Sequence, residues 1–418
     1  MKAKTYDVII IGAGVSGLFF ASVLSHKVNG IILDGSKSPG LKLLMSGGGQ
    51  CNLTHSGSIK DFISCYFENG SKVRSCLYKY NNLSMMDFFE SHGLPLVTRD
   101  DGKVFPKSMK ARDVLELLLK QSKANGFDIV NEKVTGITPA GEDPMAHELN
   151  DQAFGGNNSA FSTLHSVQTA NGLYKAKYVI IASGGCSYPS TGSDGSMFPL
   201  LREIPGMSVT PLVPALAPLF TKNYPYSELS GISFRDAHVS LYRDGKKIAE
   251  QTGDLLLTDR NFSGPCILHL SRDAEPGDIL SINYLGKTFD MSEKKKISKM
   301  ISESRSKAAN ILASEYSLPK SFAQALEKRA CQRASEIAKF VIADEFEIDY
   351  PGGFNKAMVT RGGISLKSIK TSTMEIKSVP GMYAIGEVLD VDGKTGGYNI
   401  QFAYSSACVA AKDLADKL

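Results

Sequence analysis

Three glycine-rich stretches carry the residue types and spacings that could do chemistry. Gly12-Ala13-Gly14-Val15-Ser16-Gly17 is a G-x-G-x-x-G. In such a turn the first glycine permits the sharp bend, the second lets the backbone approach a pyrophosphate, and the third allows close helix–strand packing. The helix that follows offers unpaired N–H groups and the positive end of its dipole. Asp34 lies twenty residues after Gly14, where a carboxylate accepts hydrogen bonds from a ribose. The second stretch runs from Gly40 to Thr54, with Gly47, Gly48 and Gly49 in succession among Ser46, Gln50, Cys51 and Asn52. Such a loop can bring backbone N–H groups against a planar polar ring, and Lys42 can neutralise phosphate. In the third, Gly386 and Glu387 close a strand and Gly393 to Asn399 opens the last helix. Glu387 would hold a sugar-like hydroxyl, and the helix start would stabilise negative charge on a reduced ring. The first motif indicates a dinucleotide without saying which; the third suits a flavin.

These stretches need a scaffold, and the chain supplies one. Asp7-Val8-Ile9-Ile10-Ile11 reads as a strand buried on both faces, Val15 to Leu24 as a helix, and Ile31-Ile32-Leu33 as the second strand of a βαβ unit. Arg112 to Gly126 reads as a helix ended by glycine, followed by a strand at Phe127 to Val130. Tyr178 to Ala182 is a further buried strand, ending in Ser183-Gly184-Gly185. Ala140 to Leu164 is rich in turn formers and reads as a long mobile hairpin loop. From about Ser193 short alternating segments such as His238 to Tyr242 and Ile279 to Ile282 indicate antiparallel β structure, and Ser292 to Asp344 is helical in texture. The α/β texture returns at Gly381 to Gly386, and a last helix begins near Asn399. The expected fold class is α/β: a Rossmann domain made of residues 1–192 and 356–418, with an inserted domain at 193–355, β-rich over 193–291 and helical over 292–355.

Composition narrows the partners. The 418 residues are 42% apolar and 22% charged, ordinary for a globular chain. A net charge of +4 is too small to argue for nucleic acid or an anionic membrane, so the expected partner is a small molecule. Seven cysteines without a Cys-x-x-Cys pair suggest neither a disulfide framework nor a zinc site, and a reducing cytoplasm fits. Val8 to Leu24 is apolar, but its glycines and serines read as strand, turn and helix and not as a membrane span. His55, His92, His238 and His269 are isolated, so no metal is expected. Three side chains are candidates for catalysis. Cys51 is either a redox thiol or a wall of the ring site, Arg361 either binds an anionic substrate group or forms a structural salt bridge, and Tyr398 opens the last helix. No second G-x-G-x-x-G follows a buried strand, so a nicotinamide donor would bind transiently without its own Rossmann unit.

The order of elements resembles the flavoproteins of the glutathione-reductase fold. More closely, the chain resembles the bacterial BaiN/RdsA family of NAD(P)/FAD-dependent oxidoreductases, which includes aminoacetone oxidases. The resemblance rests on SGGGQCNLT at Ser46 to Thr54, SYPSTGSDG at Ser187 to Gly195, and GDLLLTDRNFSGPCIL at Gly253 to Leu268. It continues in MVTRGGISL at Met358 to Leu366 and GMYAIGEVLDVDGKTGGYNIQFA at Gly381 to Ala403. It implies non-covalent FAD: pyrophosphate at Gly12, Ala13, Gly14, Ser16 and Gly17, ribose on Asp34, and adenine at the backbone of Val134. Lys42, Ser183, Gly184, Gly386 and Glu387 line the cofactor. The isoalloxazine lies between Ser46, Gly48, Gly49, Cys51 and Asn52 and the helix start at Gly397, Tyr398, Asn399 and Ile400. The implied activity is hydride transfer with a small organic substrate lying between the inserted domain and the flavin. Either an NAD(P)H-linked reductase, with NADH or NADPH as transient donor, or an amine-type oxidase would fit, and a flavin-binding redox module serving a protein partner is the alternative. Four departures stand out: Gln50 for the usual Arg, Ser183 for Thr, a shortened turn at Gly192 to Gly195, and Asp259 where His is common.

Overall fold

The computed structural model describes residues 3–141 and 164–418. Two units form, Met1–Val213 with Val359–Leu418, and Pro214–Met358. The second unit therefore begins about twenty residues later than the change of texture at Ser193. The helix Met197–Arg202 buries Met197, Phe198 and Leu201 within the first unit and keeps that stretch there.

In the first unit a nine-stranded sheet is centred on Lys4–Ile11. Met382–Ala384, Leu173–Ile181, Lys4–Ile11, Gly30–Asp34 and Phe127–Asn131 lie side by side and parallel. Ile10 stands opposite both Ile32 and Ile180. The run Val8 to Ile11 is at most 3% exposed, which is why it reads as unbroken β-branched sequence rather than alternating. The crossover helix Val15–Val23 packs against Ala111–Ala124 and Tyr398–Ala415. Where two helices meet, the Ser22 hydroxyl donates to the Leu118 carbonyl at 3.0 Å, so a buried polar atom is satisfied. The antiparallel pair Val134–Thr138 and His165–Thr169 brings together the two ends of the stretch read as a hairpin loop, whose residues 142–163 lie outside the described residues. Thr54–His55, Lys103–Pro106 and Leu96–Thr98 add a small three-stranded sheet.

In the second unit six strands close into a barrel: Leu219–Thr221, Phe262–Ser263, Lys246–Leu257, Ser233–Arg243, Ile279–Asn283 and Asp344–Pro351. The two segments recognised by their alternation pair directly, His238 opposite Asn283. The helices Met291–Glu303, Ala308–Tyr316, Lys320–Arg329 and Ala334–Ile342 follow, and Ile297, Leu312, Phe322 and Ile337 join Leu241, Phe262 and Leu280 in one core. Among the described residues no helix is long and apolar enough to cross a membrane. All seven cysteines are free.

Candidate functional site

The parallel strands of the first unit end in the turns that build the site. After Ile11 the chain bends at Gly12 (φ +107°), whose N–H donates to the Leu33 carbonyl at 2.8 Å. A Cβ at Gly12 would lie 2.5 Å from the Ala182 carbonyl oxygen, and one at Gly17 would lie 2.1 Å from the Gly12 carbonyl oxygen. Two of the three motif glycines are therefore required by main-chain approach. Gly14 is different: nothing lies within 4 Å of where its Cβ would stand. It caps Val15–Val23 with no side-chain hydrogen bond. An uncapped helix start beside open space offers its N–H donors and dipole to an anion.

Asp34 closes this turn. One of its oxygens accepts from the Ala13 N–H and the other from the Ser36 N–H and hydroxyl. Ser183 lies at the end of Leu173–Ile181, its Cα 3.1 Å from the Cβ position of Gly12. Its buried hydroxyl has no hydrogen-bond partner in the structure. Gly184 (φ +72°) follows, and Val134 sits buried at the head of its strand. Ser16 is packed beneath Gly386, where any Cβ would lie 1.8 Å from its hydroxyl oxygen.

Beside this turn lies a charged network that spacing alone did not reveal. Lys42 and Glu387 form an ion pair at 2.7 Å. The Lys42 ammonium also donates to the Ser187 hydroxyl, and Ser187 donates to Glu387 at 2.7 Å. The Thr360 N–H donates to the same carboxylate at 2.9 Å, while the Thr360 hydroxyl accepts from the N–H groups of Cys186 and Ser187. Ser187 and Thr360 are thus site residues that sequence reading missed; both stand inside quoted motifs, but as ordinary hydroxyl residues.

The Gly47-Gly48-Gly49 segment follows Leu41–Met45, with all three glycines at positive φ and open space beside Gly48. Cys51, also left-handed (φ +61°), is fully buried, and burial pushes its thiol up to about 12 against a weaker opposing hydrogen bond with Ser46. Such a thiol stays protonated at neutral pH, which weighs against the redox reading of Cys51 and leaves its other reading, a wall of the ring site. The Asn52 amide accepts from the Gly397 N–H at 3.2 Å and donates to the Thr54 carbonyl at 3.0 Å, tying the glycine segment to the start of Tyr398–Ala415. Gly397 packs so closely on Thr54 that a Cβ would lie 2.6 Å from its Cα.

Tyr398 is boxed by rings. It stacks on His55 at 5.8 Å and meets Phe62 edge-on at 5.0 Å. Burial, with the Cys65 thiol beside it, raises its hydroxyl well above the usual phenol range. The ring contacts fix the position of this side chain at the helix start. Asn399 spends its amide on its own loop, accepting from the Gly393 N–H at 2.8 Å and donating to the Gly393 carbonyl, while Ile400 is half-buried. Arg361 lies 3.6 Å from Glu68, with both side chains partly exposed. Asp259, in the second unit, is exposed beside Arg260.

A parallel sheet with a glycine turn at the strand ends, an uncapped helix start and an acid on the second strand defines a dinucleotide-binding Rossmann protein. The chain belongs to the HI0933-like protein Rossmann domain family, whose model matches residues 6–413, and it is an FAD-dependent oxidoreductase. It is 28% identical to a ribosomal RNA dihydrouridine synthase of Escherichia coli over 98% of each chain. It is 29% identical to a 3-dehydro-bile acid delta(4,6)-reductase of Clostridium scindens, again over 98% of each. Among solved structures, the open conformation of a flavocytochrome c3 fumarate reductase matches with a TM-score of 0.52 at 17% identity, covering 99% of this chain and 78% of that one. A 3-ketosteroid-delta4-(5alpha)-dehydrogenase from Rhodococcus jostii matches with 0.51 at 12%, covering 98% and 97%. These two likenesses are of fold. The relative named for ribosomal RNA leaves the expectation of no nucleic-acid partner without support.

Proposed function

We propose that the chain is a reductase that adds hydrogen across an activated double bond of a small organic substrate, using non-covalent FAD and a transient NADH or NADPH donor. The observation that carries the cofactor reading is the uncapped helix start at Gly14, open on its outer side, with Asp34 held beside it by Ala13. The orphaned hydroxyl of Ser183 at the same strand ends is a buried donor that a bound ligand would satisfy. The direction of reaction is supported by the relatives, since a delta(4,6)-reductase and a dihydrouridine synthase are both named for hydrogen addition.

On this reading the N–H groups from Gly14 to Gly17 receive the pyrophosphate, Asp34 accepts from the ribose through its remaining lone pairs, and the backbone of Val134 meets the adenine. Lys42, Ser187 and Glu387 hold hydroxyl groups of the chain that links the two ends of the cofactor. The N–H groups of Gly47 to Gly49 and of Tyr398 to Ile400, the last helix's first turn beyond the Gly397 N–H that Asn52 takes, face the ring and oppose negative charge there. Bound FAD supplies hydride transfer to the substrate.

The test begins with the visible spectrum of purified protein and the mass of what denaturation releases. Free FAD, followed by anaerobic bleaching with NADH or NADPH, is the expected result. Folded protein that stays colourless when FAD is added would overturn the cofactor reading. Bleaching by amines but not by nicotinamides would overturn the direction in favour of an oxidase.

A further inference from the structure

Arg99 lies in the turn between Leu96–Thr98 and Lys103–Pro106, held by its own N–H to the Lys103 carbonyl and by the Gly102 N–H to its carbonyl, each at 2.9 Å. Its side chain is fixed as well, though it is exposed. The guanidinium carbon stands 4.0 Å over the Phe105 ring, and one terminal nitrogen donates to the Gln50 amide oxygen at 2.7 Å with the Met109 sulfur at 3.7 Å. Phe105 is buried and itself reaches the glycine segment, 3.5 Å from the Cβ position of Gly47. Gln50 is the residue directly after Gly49. The positive charge is therefore anchored to the edge of the segment Gly47 to Gly49 and not left to swing on a surface chain.

No carboxylate pairs with Arg99 among the described residues. Asp100 follows it directly in the chain, and Asp101, which feels its charge, has its close ion pair with Lys103 at 2.6 Å. A guanidinium stacked on an aromatic face, with one donor fixed by an amide, keeps further N–H donors in a planar fork suited to a carboxylate or phosphate. Exposed Lys107 and Lys110 lie on the same segment of chain.

We propose that Arg99, positioned by Gln50 and Phe105, is a recognition residue for an oxyanion, and that a small-molecule ligand of the ring site carries a carboxylate or phosphate. The assignment of the ring to the Gly47 to Gly49 segment rests on the reading of the previous section; the anion site itself rests on Arg99, Gln50 and Phe105.

The test is calorimetric titration of the protein as purified with inorganic phosphate and, separately, with acetate. The flavin spectrum is recorded at each point, for wild type, Arg99→Gln and Arg99→Lys. Saturable binding that weakens roughly tenfold or more in Arg99→Gln and is partly restored in Arg99→Lys is expected. A shift of the flavin bands on saturation, also lost in Arg99→Gln, is expected if the anion binds beside the ring. Equal binding by wild type and Arg99→Gln, or none to wild type, overturns the proposal. Binding of a short single-stranded RNA that depends on Arg99 while neither small anion binds also overturns it, in favour of a polymer phosphate. Protein that binds no flavin yet shows the Arg99-dependent anion titration would overturn the cofactor reading and leave the anion site standing.

Discussion

Gly14 and Gly17 belong to one motif but should fail in different ways when given a methyl group. At Gly17 the methyl would meet the Gly12 carbonyl oxygen at 2.1 Å, and main chain cannot step aside as a side chain can. Gly17→Ala should therefore lower stability by about 1–3 kcal/mol even without cofactor. At Gly14 the backbone is extended and the space open, so Gly14→Ala should leave the melting temperature of flavin-free protein almost unchanged while weakening FAD retention. Thermal melts of stripped protein, paired with FAD titrations, separate the two; equal destabilisation would refute the division of labour. Cys51 and Cys76 make a second residue-scale case. Burial, opposed by weaker hydrogen bonds, pushes both thiols up from 9.0 to about 12. Between those values the folded chain keeps protons that the unfolded chain releases. Their contribution is thus whole below pH 9 and falls as pH rises toward 12, by about 1.4 kcal/mol per pH unit for each thiol. Urea midpoints at pH 8 and pH 10.5 should drop more in wild type than in Cys51→Ala. The glycine turn and the place of Asp34 beside it were legible in the sequence because their geometry is local. For Cys51 the sequence left a redox thiol and a wall of the site both open, since nothing in its immediate sequence records which side of a left-handed turn faces the core.

At the open end of the pair Val134–Thr138 and His165–Thr169, one imidazole ties the two strands' chain together. His165 is 1% exposed, accepts from the Ala140 N–H at 3.0 Å and bonds the Pro380 backbone through its other nitrogen. Burial lowers its pKa to about 4, against the smaller upward effect of Pro380. The unfolded chain takes up the proton first, so this contribution is present above pH 6.5 and is lost as pH falls toward 4, by up to ~3 kcal/mol. His165→Gln keeps an acceptor and a donor but does not titrate. It should be less stable at pH 7 and lose less than wild type between pH 6.5 and 4.5 in denaturant titrations; parallel losses would show that His165 is not the titrating group. At this scale legibility followed length and burial. Runs such as Val8 to Ile11 and Tyr178 to Ile181 announce themselves, as does the helix Ala111–Ala124. Thr54–His55 and Leu96–Thr98 are too short to show a period, yet the first packs against Gly397 and the second leads into the turn that carries Arg99.

The whole chain consists of two units with different debts to its two ends. The first unit needs both: Met382–Ala384 pairs with Val179 to Ile181, and Tyr398–Ala415 covers Val15–Val23. The second is continuous in sequence, and its barrel closes by pairing Leu219–Thr221 with Asp344–Pro351, a register between residues over a hundred positions apart that alternation could not reveal. Its texture was visible; its closure and its start at Pro214 were not. A closed barrel has no free edge, and this one has its own core, so residues 214–358 expressed alone should unfold in a single cooperative transition, whereas residues 1–213 alone should not. The decisive polar contact within the barrel unit is Asp344, fully buried, with one oxygen accepting from Tyr226, Tyr284 at 3.1 Å and Arg329 at 2.8 Å, and the other without a partner. Burial raises its pKa, and Arg329 and the two phenols oppose that rise. Arg329→Leu strands a desolvated acid and should cost about 3–5 kcal/mol, in the isolated unit as in the full chain, and adding Asp344→Leu should return much of that loss. If the isolated unit melts broadly, or if Arg329→Leu is harmless in it while damaging the full chain, the barrel is not an autonomous fold and its core depends on the flavin-binding unit.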